Sequence, residues 1–104
     1  MNYKIHKKRK MENGDEQYLI ETNMSITPYK NHPNINETQQ NMETRYFILN
    51  GTYNTPDSEW KVDVLPANEK FEMIGNEPVA GGIGISYDQA IRYLIEVSLF
   101  QTYK

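Results

Sequence analysis

The sequence predicts an α+β domain: an antiparallel sheet of four to five strands with one C-terminal helix packed on one face. Three features lead to this fold class. Asn13-Gly14 separates two alternating segments in the manner of a β-hairpin. Tyr46-Phe47-Ile48-Leu49 is a continuous apolar run suited to a central strand, and Ser86 with Gln89 forms a capping-box pattern ahead of an amphipathic stretch.

Taken in order, the first element is a hairpin over 3–23 with Asn13-Gly14 in the φ > 0 positions of a type I′ turn. A two-residue loop places Arg9 opposite Tyr18, Lys7 opposite Ile20, His6 opposite Glu21 and Ile5 opposite Thr22. Ile5, Met11, Tyr18 and Ile20 then share a face with Lys7 and Arg9, as suits an edge strand whose cationic stems cover apolar surface. Residues 24–42 are polar, carry Pro28 and Pro33, and read as a long loop with one helical turn beginning near Asn36. The remaining strands fall within 44–75. Thr44 to Tyr53 is the central strand, Trp60, Val62 and Val64 alternate with Lys61 and Asp63, and Lys70 to Ile74 repeats the alternation with Phe71 and Met73 inward. Turn chemistry marks 54–58, Pro66-Ala67-Asn68 and Gly75-Asn76. A glycine-rich loop over 80–85 leads into a helix over 86–102, whose buried arc holds Tyr87, Ala90, Ile91, Leu94, Ile95 and Val97. Tyr93 and Phe100 lie on a flank of that arc, and the sheet face away from the helix is left partly open.

A chain of 104 residues is one domain by length, and its 38% hydrophobic content is enough for one modest core. Without cysteine it has neither disulfides nor thiolate metal ligands. The N-terminal residues form no apolar leader and no run approaches membrane-spanning length, so a cytoplasmic protein with no membrane partner is expected. The net charge of −3 hides an asymmetry. Five of the eleven basic residues lie in the first ten positions; from residue 11 onward six basic residues face fourteen acidic ones, a balance of −8. Such separation steers a partner into one orientation, unless the basic strand is neutralised by acidic neighbours within the fold.

For function, the sequence speaks first by exclusion. His6 and His32 are 26 residues apart and neither stands in a metal-binding spacing, so no metal or other cofactor is expected. No nucleophile elbow or paired-carboxylate pattern is present, which argues against an enzyme. Gly81, Gly82 and Gly84 ahead of a helix suggest an anion cradle, but the Lys-Ser/Thr ending of a phosphate-binding loop is missing and Asp88 opposes an anion. Lys7, Lys8, Arg9 and Lys10 suit nucleic-acid phosphates, with Tyr3, Tyr18 or Tyr29 stacking on bases. Against that, successive cations on a strand point to opposite faces, and the acidic remainder repels a polyanion. The leading expectation is a small non-enzymatic protein-binding protein, an inhibitor or immunity-type protein that occupies a partner's functional surface. Its size and charge parallel those of inhibitors carried by mobile elements or phages. The expected contact residues are Tyr29 and His32 in the long loop, Asp57, Glu59 and Asp63 on the acidic strand and turn, and Tyr93 and Phe100 on the helix flank. A homodimer through the open face or that flank fits the same pattern.

Overall fold

Five strands follow one another across a single antiparallel sheet in the order β1-β2-β3-β4-β5. The structure is a computed structural model and describes residues 3–54 and 59–93. Its elements are β1 (Tyr3–Lys10), β2 (Glu16–Ile26), α1 (Glu37–Gln40), β3 (Thr44–Asn54), β4 (Glu59–Ala67), β5 (Ala80–Ile83) and α2 (Tyr87–Tyr93). The α+β class and the antiparallel sheet are as the sequence predicts, with five strands and a larger share of sheet than of helix. β3 is the central strand, with Phe47 and Leu49 buried on one face and Ile48 on the other.

The first hairpin differs from expectation by one residue. The Met11 N–H donates to the Asp15 carbonyl at 2.8 Å and the Gly14 N–H to the Met11 carbonyl at 3.0 Å. Gly14 takes φ 93° while Asn13 stays out of the positive region, so the turn is a three-residue loop, Glu12-Asn13-Gly14, and not type I′. The longer loop sets Arg9 opposite Gln17 and Lys7 opposite Leu19; an irregularity at His6 then sets Ile5 opposite Ile20 and Tyr3 opposite Thr22. Because a one-residue slip exchanges faces, Lys7 and Arg9 leave the face of Ile5, Tyr18 and Ile20.

Each sheet face has its own core. On one, Ile20, Phe47, Leu49, Val62, Val64 and Ala80 pack with Ala90 and Ile91 of α2. The Ser86 hydroxyl accepts the Gln89 N–H at 3.3 Å, the expected cap. The helix predicted over 86–102 is described as far as Tyr93; its remainder, with Phe100, lies outside the described residues, as do Asp57 and the Tyr93 side chain. On the other face, Leu19, Ile48, Ala67 and Phe71 form a second cluster. This face was expected to be partly open and is so towards β5, where Thr52, Lys61, Gly81 and Ile83 are exposed; the 70–74 segment, expected to be a strand, is not one. Phe71 takes φ 65° in an irregular loop and folds back over the sheet, 6% exposed, leaving Met73 at 51%. Pro66 and Ala67, expected in a turn, extend β4, which is possible because β5 pairs only with Lys61 to Val64 and asks no N–H of Pro66.

The segment expected to loop over 24–42 starts later and is more ordered. β2 runs on to Ile26, and α1 begins after Asn36, whose side-chain oxygen accepts the Gln39 N–H at 2.9 Å, where a helical turn was expected. Tyr29, expected at a contact surface, is instead a plug, 1% exposed. Its hydroxyl donates to the Glu77 carbonyl and its ring lies so close to Gly75 that a Cβ there would stand 2.6 Å from the phenolic oxygen. Burial pushes its pKa from 10.0 up to about 12. Tyr29→Ala is therefore expected to lower stability by about 3–5 kcal/mol in denaturant unfolding. Gly75→Ala also destabilises, by forcing the ring to move. In a spectroscopic titration one tyrosine should stay protonated to about pH 12. Its stabilising contribution is complete below pH 10.0 and is lost as pH rises through about 12.

Candidate functional site

The cations of the first ten residues lie on β1, an outer edge of the sheet. Pairing places Lys4 opposite Glu21, Lys7 opposite Leu19 and Arg9 opposite Gln17, all on the Phe71 face; Lys8 opposite Tyr18 and Lys10 opposite Glu16 are on the α2 face. The irregularity at His6 also turns its ring to Glu21 and to within 6.0 Å of the Tyr46 ring. Strict alternation is thus broken: Lys4, His6, Lys7 and Arg9 gather on one face while Lys8 and Lys10 occupy the other.

Among the described residues, two of these groups lie within ion-pair distance of a carboxylate and four do not. Glu21 collects His6 at 2.6 Å, Arg45 at 3.7 Å and Lys4 at 3.8 Å. Among the described residues, no carboxylate forms an ion pair with Lys7, Lys8, Arg9 or Lys10, although Lys10 faces Glu16 across the ladder. Arg9 lies 3.8 Å over the Phe71 ring, with its Nε donating to Gln17 at 2.7 Å, and Lys8 lies 5.5 Å over Tyr18. Among the described residues, internal ion pairs therefore do not account for the run from Lys7 to Lys10. Among the described residues no strand lies along the outer side of β1. Counted from the Met11 N–H bond to Asp15, the alternation of an antiparallel ladder turns the Arg9 and Lys7 peptide groups towards β2 and those of Lys8 and Lys10 outward.

The other candidate residues are dispersed. Gly81 and Gly82 stand within β5, not in a loop, with their backbones in the ladder with β4; only Gly84, at φ 75°, uses a glycine's left-handed freedom. A Cβ on Gly81 would stand 2.7 Å from an Asp63 carboxylate oxygen, an environment opposed to an anion. His32 is half-buried and organises its own loop: its Nδ1 accepts the Asn34 N–H at 3.3 Å and its carbonyl accepts from Gln40 at 2.8 Å. Glu59 is exposed and Asp63 half-buried on β4, with Lys61 between them. Glu59 pairs with Asn54 at the end of β3, whereas the Tyr29 to Asn36 loop leads into its start, so the fold does not bring these groups together. Among the described residues no group of His, Asp and Glu is arranged to hold a metal ion, and no helix is long and apolar enough to cross a membrane.

Beside β1 the surface is indented twice. Tyr3, Lys4, Glu21, Thr22, Asn23 and Arg45 line a cleft of about 280 Å³. Tyr3, Ile5, Tyr18, Leu49, Asp88 and Ile91 line a more apolar one of about 150 Å³ between β1 and α2, where Ile5 is 56% exposed and the Tyr3 hydroxyl donates to Asp88. Sequence reasoning set Ile5 and Tyr18 on one face but missed the second cleft, because it forms only where Asp88 and Ile91 of α2 pack beside them.

The hydrogen bond from His6, with Lys4 and Arg45 nearby, holds the Glu21 carboxyl below its ordinary 4.5. Its contribution to stability is therefore present above pH 4.5 and is lost as pH falls through the lower folded value. A carboxyl-detected NMR titration should find Glu21 below 4.5, and His6→Ala should move it up.

Comparison with models of protein families, with curated proteins and with solved structures finds no match to this chain.

Proposed function

We propose that the protein is a non-enzymatic binding domain that acts by occupying the surface of another protein, as an inhibitor or immunity-type protein does, and that β1 is its working edge. One observation carries this reading: Lys7, Lys8, Arg9 and Lys10 stand in succession on a free sheet edge, without ion pairs among the described residues. Four cations so close repel one another, and an external acidic surface relieves that repulsion while steering the encounter. The acidic residues Glu59 and Asp63 are the weaker surface, since Lys61 stands between them.

A nucleic-acid strand is the second class of ligand for the same cations. The residues that would stack on its bases argue against it. Tyr29 is buried, Tyr18 is half-buried with Lys8 over its ring, and Tyr3 is half-buried and bonded to Asp88.

The test is capture of protein from a nuclease-treated lysate of the native host. The wild-type chain is compared with Lys7→Gln/Lys8→Gln/Lys10→Gln and with Glu59→Gln/Asp63→Asn. Arg9 is left in place because it packs on Phe71. One stoichiometric protein should be retained by the wild type and by the acidic-site variant, and held about tenfold more weakly by the lysine variant. Loss from the acidic-site variant alone would move the surface to β4, and nucleic acid in place of protein would favour the second reading.

A further inference from the structure

Resting on β1 as the working edge, we infer that the partner contributes an extended acidic segment that adds to the sheet beside β1 and seats one apolar side chain against Ile5. The first support is the placement of the cations. Lys7 and Arg9 project on one sheet face, Lys8 and Lys10 on the other. A flat acidic surface meets one of these pairs. An added strand meets both, because its successive side chains alternate between the faces. The second support is the backbone: the outward peptide groups of Lys8 and Lys10 have no strand beside them among the described residues, and main-chain bonding there is how sheet edges take up extended peptides.

The third support is the cleft beside Ile5. At about 150 Å³ it is below the range of about 300–1,000 Å³ in which small-molecule sites fall, and it suits a single aliphatic side chain. Ile5 of β1 lines it, two positions before Lys7 on the same strand, so a segment lying along Lys7 to Lys10 and continued in the same direction passes beside it. Lysines and an irregularity are also devices that blunt an edge against unwanted pairing. Here they act selectively. A second copy of β1 or a neutral strand would leave the cations unpaired or opposed, whereas an acidic strand neutralises them.

The probe is a fluorescein-labelled ten-residue peptide with one leucine followed by four aspartates and threonine elsewhere, tested with its reversed sequence by fluorescence anisotropy. Two further versions carry N-methyl groups on complementary sets of alternate amides, and a third has serine for leucine. One orientation should bind; one methylated set should weaken it about tenfold or more and the other little, since only one set faces the edge. Serine for leucine should weaken binding about fivefold or more. Equal binding by both methylated peptides, still dependent on Lys7, Lys8 and Lys10, would overturn strand addition while leaving β1 as the working edge. Failure of both orientations to bind, or binding that ignores those lysines, would overturn both. Tighter binding of a ten-residue oligothymidylate than of either peptide orientation would overturn the choice of an acidic peptide.

Discussion

Phe47, Ile48 and Leu49 follow one another along β3 with at most 1% exposure, so both faces of the central strand have to be kept from water. α2 covers one face through Ala90 and Ile91. The other is covered by a single ring, Phe71, carried by a loop that has to take a left-handed backbone to deliver it. That conformation costs about 1–3 kcal/mol. Full burial of a phenylalanine contributes about 1.5–3 kcal/mol, and the Arg9 guanidinium stacked on its outer side adds about 0.5–2 kcal/mol. Burial offsets the cost of the backbone and the stacking of Arg9 adds a margin to it, which ties the loop after β4 to the first strand of the sheet.

The register of β1 follows from that tie. Arg9 reaches Phe71 only from the Phe71 face, and the three-residue loop at Glu12-Asn13-Gly14 puts it there; a two-residue loop would have sent it to the α2 side. Lys8 and Lys10 are then obliged to project on the α2 face. At His6 the strand shifts once more, so that Tyr3 and Ile5 return to the α2 face, while His6 joins Lys4 and Arg45 around Glu21. Which face each cation takes thus follows from the register that brings Arg9 to Phe71, while the return of Tyr3 and Ile5 to the α2 face follows from the irregularity at His6.

What was legible in the sequence is what short-range patterns encode. The apolar run of β3, the alternation of Trp60, Val62 and Val64, the Asn36 helical turn and the Ser86 cap each follow from a few adjacent residues. The hairpin was legible as a hairpin but not in its register, because Asn-Gly serves a type I′ turn and equally a longer loop that needs left-handed backbone only at Gly14. Phe71 alternated with Met73 as in a strand, and nothing local distinguishes that from a loop inserting one ring. β5 was hidden because its two glycines read as loop, although Gly81 and Gly82 pair with Asp63 and Val62. Tyr29 was misassigned to a surface since its partners, Gly75 and Glu77, are far along the chain. The cations of the candidate site were plain in the sequence. That they alternate between faces was plain too, but not which face each takes, because that depends on one turn residue and one irregularity.

Charge at the ends of β1 limits what can lie along it. Beyond Lys10 the chain turns through Glu12 and Asp15, and Glu16 lies across the ladder, so an anion that overruns the strand meets acidic residues at the hairpin tip. At the other end Glu21 is already satisfied by His6, Lys4 and Arg45. A long polyanion would gain over Lys7 to Lys10 and lose at the hairpin tip, and the remainder of the chain, six basic residues against fourteen acidic from residue 11 onward, adds to that loss. A short acidic segment gains the first without meeting the second. On the proposed reading the asymmetry of charge works at two ranges: the acidic body disfavours large anions, and the basic edge would take a small one between the acids at the hairpin tip and the apolar cleft at Ile5.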